Sequence, residues 1–394
     1  MTIGFDVSQT GAGKAGCGYY ADGLIRAVEA LCRERGGGPG FLLYPAFGDV
    51  FWDPQCATAT YSTDHPHFRR MKAPAGWEES QRFWGAPGAD FEARIGSPDV
   101  VHSNNFFCPR GLRRARLVYT LYDLSFLADP SWSTEANRVG CLDGVFRAST
   151  VADWIVAISE YSRRHFLEIF PHYRAERIRL IYPGSRYGGA AGTGAEAAPE
   201  RFAHLRPDGF WLSVGSIEPR KNQRRLLEAY ARSGSALPLV LAGGKGWLMD
   251  DFAAAGPGGR PVELTGYVSD AELEWLYRHC YAFLYPSLFE GFGMPVLEAM
   301  TLGAPAICSN TTSLPEVAGD AGLLVDPRDA GAIADAMTRL ESGEIARDTL
   351  RAAGTRQAAR FSWEASAKKL LELYDEAGAA LMAKAPTRGL SPEE

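Results

Sequence analysis

The sequence predicts an α/β protein of two domains, each built on a mostly parallel sheet, that face each other across a cleft. A chain of 394 residues exceeds the about 250 to 300 residues at which a single hydrophobic core stops growing. Short apolar runs alternate with longer amphipathic ones, which is typical of parallel strands joined by helical crossovers. A glycine- and alanine-rich segment at 183–199 interrupts this alternation and predicts the linker between the domains.

Two sets of apolar runs predict the strands of the two sheets. The first domain has candidate strands at 3–7, 41–44, 100–102, 117–121, 154–158 and 178–182. The second domain has candidate strands at 210–214, 239–242, 262–264, 282–285, 306–308 and 323–325. Open α/β sheets bind ligands at the carboxyl ends of their strands, so the loops that follow these runs are expected to line the cleft.

Two other segments have a distinctive composition. The stretch between Tyr44 and Val100 has no regular pattern, and we predict a loop that shapes the cleft. It is rich in aromatic residues, including Phe51, Trp52, Trp77, Phe83 and Trp84. Near the end of the chain, Ser362 is a candidate N-cap for a last helix that runs from about Trp363 to Ala380.

Composition excludes several classes of protein. The net charge of -6 argues against a general nucleic acid binder, which would normally be strongly basic. The seven cysteines are scattered, without a CxxC pair that would indicate zinc or redox chemistry, and they fit a reducing cytoplasm. Apolar stretches stay below the about 18 residues that a membrane span requires. We therefore predict a cytoplasmic protein that binds no nucleic acid.

The strongest motif follows the candidate strand at 282–285. Glu290 and Glu298 stand eight residues apart, separated by a glycine turn, and Pro295 suits the first turn of a helix. Free N–H groups at such a helix start favour an anion such as a diphosphate, and the two carboxylates suit a polyhydroxylated ligand. The alternative is structural: Glu298 would complement the helix dipole and Glu290 would cap a turn.

A second motif ends the candidate strand at 210–214. Ser216 is followed by Glu218, Arg220 and Lys221, and the two cations are placed to neutralise a diphosphate as it leaves. We predict that Lys221 opens a helix that continues through Tyr230. The alternative is that both cations are solvated, although cations in a first helical turn oppose the helix dipole.

A third motif spells GxGxxG with Gly11, Gly13 and Gly16, after a strand and before a helix. A dinucleotide site would also need an acid at the end of the next strand, which is absent here. Ser8 stands where a phosphate-binding P-loop would have its first glycine. The spacing of these glycines therefore predicts neither a dinucleotide site nor a P-loop.

The run from Phe289 to Met300, with Gly303, Ala304 and Pro305 after it, resembles the paired-glutamate signature of the retaining glycosyltransferases of family 4, also called glycosyl transferase group 1. The resemblance is closest to bacterial polysaccharide mannosyltransferases. It implies the GT-B architecture of two Rossmann-like domains. The implied units are an acceptor-binding domain at 1–190, a nucleotide-sugar-binding domain at 205–360 and a helix at 361–382 that returns to the first domain. The residues at 385–394 are predicted from their own sequence to form a disordered tail.

The resemblance also implies roles for individual residues. Glu290 would contact sugar hydroxyls near C3 and C4, and Glu298 would hold the ribose of the donor. The implied catalytic residues are Arg220, Lys221, Glu290 and Asp123. The implied donor-binding residues are Gly16, Gly18, Ser216, Tyr267, Val268, Gly291, Phe292, Gly293, Met294, Pro295, Val296 and Glu298. Of these, Gly16 and Gly18 resemble part of the family's flexible glycine loop, which lies near the donor phosphates and the acceptor. Many relatives carry arginine at the position of Ser216, so we expect Arg220 to supply the missing cation.

Positions in the first domain bear on the sugar and the acceptor. Relatives commonly have histidine at the position of Tyr122, beside the transferred sugar and often near its 6-hydroxyl. A tyrosine there suggests a 6-deoxy donor such as GDP-rhamnose, although hydrogen bonding through water would serve an ordinary hexose equally well. His102 and Ser159 are further candidates for acceptor or sugar contact, and for His102 a purely structural role is the alternative.

Together these features predict a retaining transferase that moves mannose, or a 6-deoxy relative such as rhamnose, from a GDP-sugar to a saccharide or lipid-linked saccharide in bacterial surface polysaccharide synthesis. We expect a front-face displacement without a metal site or a cofactor. The basic residues Arg110, Arg113, Arg114 and Arg116 suggest peripheral contact with anionic lipid at the inner face of the membrane. The alternatives are a catalytically silent nucleotide-sugar-binding protein, a sugar-nucleotide epimerase, or a phosphorylase with bound pyridoxal phosphate.

Overall fold

A computed structural model describes residues 1–11, 13–48, 60–74, 76–188, 197–246 and 261–382. Within these ranges the strands form two sheets, and every bonded pair of strands in each sheet is parallel. Helices lie between most consecutive strands. The predicted α/β fold class is confirmed.

The first sheet has the strand order β3-β2-β1-β4-β5-β6-β7. Its strands are β1 (Thr2–Asp6), β2 (Gly40–Tyr44), β3 (Phe68–Arg70), β4 (Val100–Ser103), β5 (Arg116–Leu121), β6 (Trp154–Ala157) and β7 (Ile178–Leu180). The helices of this half are α1 (Gly16–Arg35), α2 (Trp77–Gly85), α3 (Phe91–Arg94), α4 (Ser125–Ala128), α5 (Glu135–Val151) and α6 (Glu160–Ile169).

The second sheet has the order β10-β9-β8-β11-β12-β13. Its strands are β8 (Trp211–Val214), β9 (Leu239–Ala242), β10 (Val262–Gly266), β11 (Ala282–Tyr285), β12 (Ala306–Ser309) and β13 (Gly322–Val325). The helices are α7 (Gln223–Ser233), α8 (Asp270–His279), α9 (Met294–Thr301), α10 (Leu314–Ala318), α11 (Ala330–Glu341), α12 (Arg347–Ala358) and α13 (Trp363–Met382). In each sheet the strand order reverses once, between β1 and β4 and between β8 and β11. Such reversals open a crevice where ligands bind.

Helix α13 packs on the first half of the molecule. Ser362 caps it, since its Oγ accepts the N–H of Ala365 at 3.1 Å, as the sequence predicted. The helix lies along α1, and its Tyr374 is fully buried with its hydroxyl 2.6 Å from Nδ1 of His102 on β4. The core of the first half is therefore completed by the last described helix.

The prediction of an irregular cleft loop between Tyr44 and Val100 is wrong where the structure describes it. This stretch contributes the edge strand β3 and the helices α2 and α3. Trp84 is only 1% exposed and packs against Phe47, because the short helix carries it beneath the sheet. Phe51 and Trp52 lie outside the described residues, as does the predicted tail at 385–394.

None of the helices within the described ranges is long and apolar enough to cross a membrane. One of the four arginines in the predicted basic cluster does not belong to an exposed surface. Arg116 is mostly buried, pairs with Asp153 at 3.3 Å and donates to the carbonyl of Ala380 at 3.0 Å. The exposed part of the cluster is therefore Arg110, Arg113 and Arg114.

Candidate active site

The two charged motifs follow neighbouring strands at the reversal of the second sheet. The segment with Arg220 and Lys221 comes after β8, and the segment with Glu290 comes after β11. Parallel strands bring their carboxyl ends to one edge, so the motifs meet although about 70 residues separate them. Lys221 does not open a helix as predicted: it ends a short 3-10 turn, and α7 begins at Gln223.

Glu290 is almost completely buried and accepts several hydrogen bonds from its own domain. Its Oε1 accepts from the Lys221 ammonium at 2.7 Å, from the Ser287 hydroxyl at 2.6 Å and from the Tyr285 hydroxyl at 3.0 Å. Its Oε2 lies 3.1 Å from the guanidinium of Arg220. Burial opposes its charge, but Lys221 and Arg220 outweigh burial and lower its pKa to about 2. Glu290 is therefore an acceptor at neutral pH.

Arg220 connects this carboxylate to a second one. It donates to the carbonyl of Phe289 at 2.7 Å and to the carboxylate of Glu218 at 2.7 Å. Burial disfavours its charge, but Glu290 and Glu218 raise its pKa well above the ordinary value for arginine. Two cations thus face two carboxylates in one cluster.

Helix α9 starts at the glycine turn. Gly293 precedes it with φ of 104°, a left-handed conformation that favours glycine, and no side chain caps the helix start. Gly291 is required for a different reason: a Cβ there would lie 2.4 Å from the carbonyl oxygen of Tyr122 in the first domain. The two domains therefore touch backbone to backbone at this turn.

The other donor-site residues in this segment divide into two groups. The side chains of Phe292 and Val296 are buried in the core, where Phe292 packs against Phe361, so only their backbone is available to a ligand. Met294 and Pro295 are partly exposed at the helix start.

Glu298 lies inside α9 and is only 1% exposed. Both of its oxygens bond to the guanidinium of Arg186, with Nε at 2.6 Å from Oε1 and Nη2 at 3.0 Å from Oε2. The Tyr277 hydroxyl adds a bond at 3.2 Å. Burial raises the pKa of Glu298 despite the opposing effect of Arg186. Sequence reasoning missed this partner, because Arg186 lies in a glycine-rich linker 112 positions away.

The donor-binding candidates Tyr267 and Val268 follow β10. Tyr267 is 71% exposed, Val268 is buried, and the Tyr267 carbonyl already accepts from Arg201 at 3.1 Å. Ser269 caps α8 in a reciprocal capping box with Glu272. Ser216 is exposed after β8.

The glycine loop predicted around Gly16 and Gly18 is wrong. Helix α1 already begins at Gly16, and Gly18 lies in its first turn, where a Cβ would be 2.0 Å from the carbonyl oxygen of Gln9. The left-handed residue is instead Gly13, with φ of 73°. Glycine is required at position 18 because the preceding loop approaches the helix closely there, rather than because the backbone forms a flexible loop.

Tyr122 turns into the first domain. Its hydroxyl lies 2.8 Å from the carbonyl oxygen of Asn104 and 3.2 Å from that of Cys17. The neighbouring Asp123 accepts the N–H of Ser125 at 2.9 Å and is partly exposed. In this structure the Tyr122 hydroxyl is used by protein carbonyls rather than offered to the cleft.

His102 and Ser159 have structural roles here. His102 is fully buried with both ring nitrogens bonded, and burial lowers its pKa to about 3, so it does not reach an acceptor in this structure. Ser159 is also fully buried, and it caps α6. The carboxylate of Glu316 on α10 accepts the N–H groups of Glu160 and Tyr161 at 2.8 to 3.3 Å, a contact between the domains that the sequence did not reveal.

Within the ranges that the structure describes, no group of three or more His, Cys, Asp or Glu side chains is arranged to hold a metal ion. Independence of metal stays a prediction, to be tested by chelation.

Family models cover most of the chain. The model of glycosyl transferases group 1 matches residues 196–357, and that of glycosyltransferase family 4 matches residues 42–185. Over 284 residues the chain is 36% identical to O-antigen chain mannosyltransferase B of Escherichia coli, a match that covers 70% of this chain and 74% of that protein. The chain belongs to glycosyltransferase family 4.

Two solved structures share the fold of this glycosyltransferase. Sucrose-phosphate synthase from Thermosynechococcus elongatus aligns with a TM-score of 0.71 at 23% identity, over 96% of this chain and all of that one. HepE from Anabaena, solved in complex with UDP-glucose, aligns with a TM-score of 0.66 at 18% identity, over 95% and 100%. The predicted GT-B architecture is confirmed.

Proposed function

We propose that this glycosyltransferase moves mannose, or a 6-deoxy relative such as rhamnose, from a GDP-sugar to a saccharide or lipid-linked saccharide during bacterial surface polysaccharide synthesis, with retention at the anomeric carbon. The observation that carries the proposal is the buried cluster of Glu290, Lys221 and Arg220 at the reversal of the second sheet. The 36% identity to an O-antigen chain mannosyltransferase supports the sugar class and the process.

The cluster supports a specific division of labour. The ionised Glu290 accepts bonds from sugar hydroxyls, since its low pKa keeps it unprotonated. The donor's diphosphate lies at the uncapped start of α9, where free N–H groups favour an anion. Lys221 and Arg220, held in place by Glu290, stabilise the negative charge that grows on the diphosphate, because preorganised cations stabilise a leaving group.

The reaction needs no protein nucleophile. The bond between the anomeric carbon and the diphosphate oxygen breaks, and the acceptor oxygen forms its new bond on the same face of the sugar. The acceptor's proton passes to the departing diphosphate, which carries both electrons of the broken bond. Retention is checked by the anomeric coupling constant of the first product in a magnetic resonance spectrum.

Two features bear on the identity of the sugar. The relative's name favours mannose. The inward orientation of Tyr122 favours a 6-deoxy sugar, because its hydroxyl is occupied by the carbonyls of Asn104 and Cys17. Turnover of GDP-mannose and GDP-rhamnose should be compared directly, and a clear preference for mannose would exclude the 6-deoxy hypothesis.

Contact with a membrane is part of the proposal for the acceptor side. Helix α5 exposes Val139, Leu142 and Phe146 along one face, with exposed fractions of 60%, 40% and 56%. Arg110 lies 3.9 Å from Asp143 on the same helix, so a basic residue borders this apolar face. Binding to liposomes should increase with anionic lipid content, and the lack of such an increase would remove this part.

The main test is a mass spectrometric screen of the purified chain against nucleotide sugars combined with simple mannosides and lipid-linked saccharides. Transfer from a GDP-sugar that persists with a chelator present would support the proposal. Glu290→Ala should abolish transfer while its circular dichroism spectrum stays that of the wild type. Wild-type turnover by this variant would overturn the assignment, and nucleotide binding without turnover on any acceptor would instead support a silent binding protein.

A further inference from the structure

Arg186 joins three parts of the molecule at Glu298. It belongs to the segment between β7 and β8, which links the two sheets. Its guanidinium bonds to both oxygens of Glu298 and, through Nη1, to Asp270 at 2.9 Å. It also stacks over the ring of Tyr19 on α1, with Cζ 4.2 Å from the ring centroid. First domain, linker and second domain therefore meet on one side chain.

This contact leaves Glu298 closed to a ligand. The guanidinium fork occupies the outer position of both carboxylate oxygens, and the Tyr277 hydroxyl takes a further place on Oε2. With 1% of its side chain exposed, Glu298 offers no surface to a solute. Arg186 and Tyr277 take three of the about four lone-pair sites of this carboxylate, which leaves too few for two vicinal hydroxyls, so a ribose and Arg186 cannot bind Glu298 together.

We infer that Arg186 is an internal competitor of the donor's ribose: it holds Glu298 in the empty enzyme and is displaced when two ribose hydroxyls bind there. The inference rests on the proposed function, in which Glu298 holds the ribose of a nucleotide sugar. A buried carboxylate without a partner is costly, so the guanidinium satisfies Glu298 until a ligand does. Because Arg186 must first be displaced, the apparent affinity for the donor is the intrinsic affinity multiplied by the fraction of molecules in which Glu298 is free.

Displacement of Arg186 also changes the contact between the domains. The guanidinium lies between Tyr19 of the first domain and Asp270 of the second. When it leaves Glu298, its stacking on Tyr19 and its bond to Asp270 must rearrange as well. Occupation of the ribose site is therefore coupled to the relation between the two domains.

Calorimetric titration of the full chain with GDP and with 2′,3′-dideoxy-GDP tests the inference. In Arg186→Ala the competitor is gone, so GDP should bind about tenfold more tightly than to wild type. Dideoxy-GDP does not need Glu298, so its affinity should change by less than about twofold. UDP and its dideoxy form serve as the second pair if the wild type prefers uracil.

Three further variants serve as controls for the effect of Arg186→Ala on GDP binding. Arg186→Lys keeps the charge but loses the fork, so it should tighten GDP binding by less than Arg186→Ala, and it decides the question if Arg186→Ala does not fold. Asp270→Asn removes the other carboxylate that holds Arg186 and should tighten GDP binding slightly. Arg179→Ala breaks the exposed pair with Glu376 and should change nothing.

Each remaining result has one meaning. If Arg186→Ala weakens GDP and dideoxy-GDP by the same factor, Arg186 is a phosphate ligand and the inference is wrong. Unchanged GDP affinity would equally exclude competition. If neither wild type nor any variant binds a nucleoside diphosphate, the proposed function itself fails. Turnover of a nucleotide sugar with unchanged GDP affinity in Arg186→Ala would overturn the inference alone.

Discussion

The two glutamates of one short segment have opposite surroundings. Glu290 is held by Lys221 and Arg220 of its own domain, and its pKa falls to about 2. Glu298 is held by Arg186 from the linker, and burial raises its pKa. The same side chain, repeated after eight residues, is therefore a permanent anion within one domain and a shared contact between domains. The sequence motif shows the repetition but not this difference.

The largest expected effect separates the two glutamates by catalysis. Glu290→Gln should lower kcat by about a thousandfold, since it removes an ionised acceptor beside the reacting sugar and unbalances the two cations. Steady-state kinetics with a saturating GDP-sugar measure this. Glu218→Gln is the matched control, because Glu218 is an equally buried partner of Arg220 without a proposed sugar contact. A loss as large in Glu218→Gln would show that charge balance alone explains the effect.

The second expected effect is that Glu290 and Glu298 change the stability of the protein in opposite directions as the pH changes. The folded pKa of Glu290, about 2, lies below the ordinary value of 4.5, so ionised Glu290 contributes about 3 kcal/mol of stability above pH 4.5. That contribution is lost as the pH falls from 4.5 toward 2. For Glu298 the folded pKa is raised, so its ionisation reduces stability as the pH rises above 4.5.

Urea unfolding between pH 7 and pH 3 measures this contrast. The stability gap between wild type and Glu290→Gln should shrink as the pH falls. Over the same fall in pH, the free energy of unfolding of the wild type should instead increase relative to that of Glu298→Gln. Parallel curves of unfolding free energy against pH for the two variants would show that the two carboxylates titrate alike. That result would contradict the predicted difference between Glu290 and Glu298.

The third effect concerns the donor. Glu298→Gln should raise KM for the nucleotide sugar about tenfold and leave kcat within about threefold, because ribose hydroxyls lie away from the reacting bond and bind ground state and transition state equally. Initial rates over a range of donor concentrations separate the two constants. A large fall in kcat would place Glu298 at the reacting sugar instead.

The smallest expected effect is a difference in unfolding free energy between variants of the two tyrosines that bond to these glutamates. The Tyr285 hydroxyl accepts from Lys221 at 2.6 Å and donates to Glu290, whereas the Tyr277 hydroxyl bonds only to Glu298 among the contacts described. Tyr285→Phe should cost about 2 kcal/mol of unfolding free energy and Tyr277→Phe about 1 kcal/mol. Equal losses in urea unfolding would mean that the Lys221 bond contributes nothing.

Local patterns predicted the fold and the motif well, for a physical reason. All twelve predicted strands overlap observed ones in the described ranges with small shifts at their ends, and the strands at 239–242 and 282–285 match residue for residue. The reason is that continuous apolar runs bounded by polar residues specify buried parallel strands. β3 escaped prediction because Phe68, Arg69 and Arg70 form too short a run to show a period. The Ser362 and Ser269 caps were predictable because a cap bonds only a few positions along the chain.

Contacts between distant segments were not predictable from the residues. The Arg186 contact with Glu298, the Glu316 contact with the start of α6 and the inward turn of Tyr122 all join segments that share no local pattern. The close approach of Gln9 to Gly18 of α1 was likewise not predicted. Such contacts are decided by packing of the whole chain, which one sequence does not display.

The position of helix α13 constrains how the protein is made and recombined. Its Leu370, Tyr374 and Ala377 are buried, and Tyr374 bonds to His102 on β4. During synthesis the first domain therefore leaves the ribosome with one face uncovered and is completed only after Trp363–Met382 has emerged, behind the entire second domain. A chimera that exchanges second domains between relatives must consequently keep α13 matched to the first domain rather than to the domain that precedes it in the chain.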